Sequence, residues 1–154
     1  MSAMSEAILE IRAVHVWYGQ IHALKGVSLT LGAGEVVALI GGNGAGKTTL
    51  LRAISGLIRP REGEILLRGQ PLAGAPAHAV VVRGLSHAPE GRHVFTALSV
   101  EENLAMGAWV LGSDRTRIDR QRDRVFSLFP RVLERRRQLA GTLSRAEQQM
   151  LAIR

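Results

Sequence analysis

The run Gly41-Gly42-Asn43-Gly44-Ala45-Gly46-Lys47-Thr48-Thr49 carries the pattern G-x-x-x-x-G-K-S/T and constrains this chain more than any other feature. Glycines permit a tight turn and let backbone N–H groups approach phosphate oxygens with no side chain in the way. A helix beginning at the end of such a loop adds unpaired N–H groups and a favourable dipole. The flanks fit this reading. Val36-Val37-Ala38-Leu39-Ile40 is apolar throughout, as in a strand buried on both faces of a sheet. Leu50, Leu51, Ile54 and Leu57 then fall at helical spacing, and Gly56 with Pro60 marks where that helix ends. Lys47, one of two lysines in an arginine-rich chain, is expected to reach β- and γ-phosphates, and Thr48 to place its hydroxyl on Mg²⁺.

Elsewhere, residues 8–16 partly alternate apolar and polar and predict a strand, as do Val27–Leu31, with Gly32-Ala33-Gly34 as a turn. Ile65-Leu66-Leu67 predicts another short strand. After the connector at 74–78, the run Ala79-Val80-Val81-Val82 has the local propensity of a strand, but stays open between a strand and a short helix. Beyond Pro89, Ser99 and Glu102 have capping-box spacing, and helices are expected over 100–111 and 116–129, split by Gly112-Ser113 and stopped by Pro130. An α/β front half thus leads into a helical back half, without internal repeats.

The chain has 154 residues, 46% of them hydrophobic, which is enough for a core and excludes a disordered tail. No apolar run is long enough to span a membrane, and the start Met1–Ala7 shows neither the basic nor the apolar part of an export signal. Cysteine is absent, which removes disulfide frameworks and cysteine-based metal sites. The net charge of +7 comes with Arg115, Arg117, Arg120, Arg122, Arg124 and Arg135–Arg137 interspersed with Asp114, Asp119, Asp123 and Glu134. Mixed signs read as a solvated helical surface, so no nucleic-acid partner is expected. His93 has no ligand spacing with the other histidines and reads as structural.

A phosphate loop alone does not separate transport ATPases from kinases or GTPases. The flanking residues do. Tyr18-Gly19, then Ala23–Leu29, then Gly34–Ile40 resemble the entry of the ATP-binding cassettes of ABC transporters. Ala88-Pro89-Glu90-Gly91-Arg92-His93-Val94-Phe95, with Leu98–Leu104, resembles that family's loop into its helical subdomain. The P-E-G-R form is similar to the branched-chain amino-acid importers and urea-type relatives. Leu143-Ser144 with Glu147-Gln148-Gln149 resembles the approach to the family signature L-S-G-G-E-Q-Q. Ser144 and Glu147 also have the spacing of a plain capping box.

The resemblance implies an α/β P-loop NTPase with a RecA-like core, an antiparallel β subdomain and an α-helical subdomain, and it would make 79–82 a short helix before a strand at 85–88. In this sequence 1–88 is the nucleotide-binding core, 89–141 the helical subdomain and 142–154 the start of the signature helix. It implies a subunit that couples ATP binding and hydrolysis to import of branched-chain amino acids. Alternatives are a related importer subunit or a nucleotide-binding fragment without turnover. ATP and Mg²⁺ are the implied cofactors. By the same resemblance Tyr18 stacks on adenine, Gly41–Thr49 hold the phosphates, Lys47 and Glu90 act in catalysis, and Thr48 and Glu90 bind the metal. Ser144 contacts the γ-phosphate held by a second ATP-binding subunit, identical or related. Transmembrane permease subunits complete the expected partners, at the cytoplasmic face of the inner membrane.

Two departures from the family pattern stand out. Arg145-Ala146 occupy the positions of the two signature glycines, where a Cβ is expected to obstruct close approach of backbone to phosphate, the alternative being that Arg145 contributes charge toward it. The family's Asp at the end of an apolar strand, with the Glu after it, is not matched either. The first Asp is Asp114, and Asp114, Asp119 and Asp123 lie among arginines. The resemblance places that strand and a later switch histidine after residue 154, so the chain reads as truncated. Marginal solubility and weak Mg-ATP affinity are expected on that reading.

Overall fold

The computed structural model describes residues 7–152 apart from 73, 90 and 92, so Glu90, Arg92 and the stretch before Ala7 lie outside the described residues. The described chain forms two compact units, one ending at His87 and the other beginning at Ala88.

The first unit is built on an antiparallel sheet. Strands β1 (Ala7–Tyr18) and β2 (Ile21–Gly32) form a long hairpin, and β3 (Glu62–Leu67) and β4 (Gln70–Pro71) extend it in the order β2-β1-β3-β4. Leu9 and Ile11 point to the core, as do Val14 and Val16. The inward parity changes between the two pairs because the β1–β2 register shifts between Ile11 and Val14, where Ala13 has φ 45°. This irregularity is why the alternation in the sequence is only partial.

The hairpin turns at Gly19-Gln20. Gly19 has φ 58°, and glycine at the first central position suits a two-residue turn matched to strand twist. Helix α1 (Lys47–Ile54) places Leu50, Ala53 and Ile54 in the same core as Ile11, Val16, Leu24 and Ile65. Helix α2 (Ala77–Val82) adds Val80, which is fully buried. The Val80–Val82 run is therefore helical despite its β propensity; tertiary packing of Val80 decides the outcome. Residues 85–88 form no strand.

The expected buried strand at Val36–Ile40 does not form. These residues carry no regular element, and Val36 and Ile40 are 96% and 95% exposed. An apolar run becomes a strand only when another strand takes up its N–H and C=O groups. Among the described residues the sheet pairs β1 to β4 with one another, and none of them pairs with 36–40.

The second unit is helical. It contains α3 (Val100–Gly107), a 3₁₀ turn (Ala108–Leu111), α4 (Arg115–Leu128), α5 (Pro130–Glu134), a 3₁₀ turn (Ala140–Thr142) and α6 (Arg145–Ala152). Pro130 opens α5 at its first turn, where a missing N–H costs nothing. Val100, Leu104, Val132, Ala140, Leu143 and Leu151 form its core. Asn103 is fully buried there, and its side chain bridges the carbonyls of Phe95, Leu98 and Ser99 and the N–H of Phe95.

Candidate functional site

In the first unit the glycine-rich segment runs directly into α1. Gly44 and Gly46 have φ 83° and 90°, in the left-handed region that favours glycine. At Gly46 space is equally decisive, because an added Cβ would lie 2.6 Å from Leu24 Cδ2. The loop must therefore pass against β2 with no side chain at this point. A turn follows from the Ala45 N–H donating to the Gly42 carbonyl at 3.2 Å, and the Leu50 N–H donates to the Gly46 carbonyl at 2.8 Å. The N–H groups of the first turn, at Lys47, Thr48 and Thr49, have no acceptor within their own helix.

The Lys47 ammonium donates to the carbonyls of Gly41 at 2.6 Å and Gly42 at 2.8 Å, so the side chain folds over the loop. A cation held on two loop carbonyls, beside the positive end of a helix, suits a polyanion. The loop itself is exposed, which leaves it reachable from solvent.

Tyr18 stands at the end of β1 and is 43% exposed; its hydroxyl lies 3.5 Å from the Thr49 hydroxyl. The structure therefore brings Tyr18 to the first turn of α1 across the sequence between them. Three residues that sequence reasoning missed brace this turn. Trp17 stacks on His22 with ring centroids 4.0 Å apart and planes 9° apart. The Arg61 guanidinium lies 5.5 Å from the centre of the Trp17 ring and donates to the Gly19 carbonyl at 3.4 Å. His22 in turn meets His15 at 3.0 Å. The adjacent aromatics Trp17-Tyr18 were a visible signal, but their partners were not.

Among the described residues no group of three His, Asp or Glu side chains could hold a metal ion. Among the described residues, Thr48 is the expected protein ligand of a divalent cation at this loop, and Mg²⁺ takes few protein ligands beside nucleotide oxygens. The exposed Thr48, in the first turn of α1, fits that role.

In the second unit both expected capping boxes are present. The Ser99 N–H donates to Glu102 Oε2 at 2.7 Å and the Glu102 N–H to Ser99 Oγ at 3.2 Å. Ser144 and Glu147 repeat this at α6, with distances of 2.8 and 3.3 Å. Both carboxyls are held below the ordinary carboxylate range. For Glu102 the backbone N–H of Ser99 is the main cause. For Glu147 the Ser144 side chain leads, with its N–H, Arg135 and Arg131 adding to it. Arg145 and Ala146 are the first two residues of α6 and are exposed.

A glycine loop cradled between an antiparallel sheet and a helix N-terminus, with an aromatic beside it, defines a nucleotide-binding class of fold. The family model described as ABC transporter matches residues 24–154. The branched-chain amino-acid transport ATP-binding protein BraG of Pseudomonas aeruginosa is 46% identical over 146 residues, covering 95% of this chain and 62% of BraG. A probable branched-chain amino-acid transport ATP-binding protein, LivF of Archaeoglobus fulgidus, is 34% identical and is matched over 88% of this chain and 57% of its own length. Among solved structures, an ATP-binding subunit of an ABC transporter superposes with a TM-score of 0.83 at 30% identity, over 95% of this chain and 60% of that one. An ATP-binding cassette in its ADP conformation, 22% identical with a TM-score of 0.78, covers 96% of this chain and 63% of its own, and shares the fold. The chain belongs to the ABC transporter family, and its fold is that of an α/β P-loop NTPase. It spans about 60% of the length of these curated relatives, 62% and 57% respectively.

Proposed function

We propose that the chain acts as the ATP-binding subunit of an importer for branched-chain amino acids. The observation that carries this reading is the Gly41–Thr49 loop against β2 and α1, with Lys47 folded over it and Tyr18 alongside. The names of the two transport proteins reported above support the choice of substrate.

In this reading the loop N–H groups and Lys47 hold the β- and γ-phosphates. Lys47 exchanges its contacts with the Gly41 and Gly42 carbonyls for phosphate oxygens, a trade of neutral for charged acceptors. Tyr18 stacks on the adenine ring. Thr48 would hold Mg²⁺, with Glu90 as the second ligand that the resemblance implies, and the ion would neutralise charge on the phosphates. Glu90 would also orient the attacking water by the same resemblance.

A second ATP-binding subunit, identical or related, presents Ser144 and the N-terminus of α6 to the γ-phosphate. The pair drives permease subunits from the cytoplasmic face of the membrane. No helix of the described residues is long and apolar enough to cross a membrane itself.

Single-turnover hydrolysis of ATP in the presence of Mg²⁺, compared with Lys47→Ala, tests the reading. Turnover in the parent chain that Lys47→Ala abolishes is expected. No turnover in the parent leaves a nucleotide-binding component without hydrolysis and contradicts the enzymatic half of the proposal.

A further inference from the structure

Helix α4 sorts its charges by face. Arg117, Arg120 and Arg124 recur at i, i+3 and i+7, so they lie along one side of the helix. All three are exposed, and among the described residues none has an ion-pair partner. The acidic residues of the helix are engaged elsewhere. Asp119 pairs with Arg122 at 2.9 Å and Asp123 approaches the same guanidinium at 3.8 Å. Asp114 caps the helix by accepting the Arg117 N–H at 2.9 Å. The opposite side of α4 packs inward through Val125 and Phe126.

The three arginines are thus grouped along one side, with the capping Asp114 at the start of the stripe. Arg117, Arg120 and Arg124 line a shallow depression with Asp114, Thr116 and Gln121. One turn beyond Arg124 on the same face, Leu128 is 62% exposed. Three unpaired guanidiniums followed by an outward-facing leucine complement a surface that presents phosphates above an apolar layer.

We propose that this face of α4 is a docking surface for anionic membrane lipid. The guanidinium forks match the phosphodiester oxygens of headgroups, and Leu128 enters the acyl boundary. The inference is independent of nucleotide binding, since all its residues belong to the second unit.

The test is co-sedimentation of the full chain with protein-free vesicles, either rich in phosphatidylglycerol or of phosphatidylcholine alone. Binding to the anionic vesicles only is expected, weakening as salt is raised. Replacing the three stripe residues together (Arg117→Gln, Arg120→Gln, Arg124→Gln) should lower vesicle affinity on the order of a hundredfold, roughly fivefold per arginine. Glutamine keeps helix propensity, and circular dichroism checks that α4 persists. A control with the same loss of charge, Arg12→Gln, Arg122→Gln and Arg131→Gln, removes arginines that already have carboxylate partners and should bind nearly as the parent does. Equal losses in both triple variants would reduce the effect to net charge and overturn the proposal. So would absence of binding to anionic vesicles, or a stripe-dependent affinity for duplex DNA without vesicle binding.

Discussion

The Tyr18 hydroxyl lies 3.5 Å from the Thr49 hydroxyl, linking the end of β1 to the first turn of α1. The contact is long, so the ring rather than the hydroxyl should matter for a bound base. Tyr18→Ala is expected to weaken ATP binding by about tenfold, the scale of one base–aromatic stack, while Tyr18→Phe stays near the parent. Inorganic tripolyphosphate, which has no base, should bind the Tyr18→Ala and parent chains alike in competition titrations. Equal losses for both ligands would place Tyr18 outside the base site.

Arg61 holds the turn behind Tyr18 by lying over Trp17 and reaching the Gly19 carbonyl. Arg61→Ala should therefore cost a few-fold in ATP affinity, again without changing tripolyphosphate affinity. The same variant should raise Trp17 accessibility to acrylamide, measured by fluorescence quenching in a background where Trp109 is phenylalanine.

The capping boxes give the helical unit an acid-side sensitivity. Glu102 and Glu147 have folded pKa values below those of an unfolded carboxylate. Their contribution is complete above the ordinary carboxylate range and is lost as pH falls through the depressed folded values. Urea unfolding at neutral pH and at about pH 3 should show a smaller pH difference in Glu102→Gln with Glu147→Gln than in the parent. Glutamine can retain the cap's hydrogen bonds without titrating.

These boxes were legible in the sequence because their parts lie three residues apart and answer to local geometry. The glycine turn before α1 was legible for a similar reason, down to Gly46, although the clash with Leu24 that makes glycine obligatory there was not. What failed was non-local. Val36–Ile40 has the composition of a buried strand, yet a strand exists only through its neighbour. Val80–Val82 was open between strand and helix on local grounds, and packing made it helical. The Trp17, His22 and Arg61 brace joins two strands and the segment after α1, contacts that no periodicity announces. The basic stripe of α4 was hidden because charges adjacent in sequence sit on different faces of the helix.

Arg145 and Ala146 open α6, and in the dimer proposed above its first-turn N–H groups would have to approach a phosphate held by the other subunit. Replacing both with glycine should raise ATP-dependent dimerisation by removing side chains from that approach. Sedimentation velocity with Mg-ATP and a hydrolysis-resistant analogue measures it. An unchanged dimer fraction would mean that these two side chains do not limit the contact.

In the proposed function, Gly41–Thr49 binds a nucleoside triphosphate through its backbone and Lys47. Calorimetric titration of Mg-ATP into the parent chain and into Lys47→Ala tests it directly. Loss of a charged hydrogen-bonding partner, about 1.5–3 kcal/mol, predicts affinity lower by roughly ten- to a hundredfold in the variant. Equal affinity in the two chains, or no heat of binding in the parent, would contradict the account.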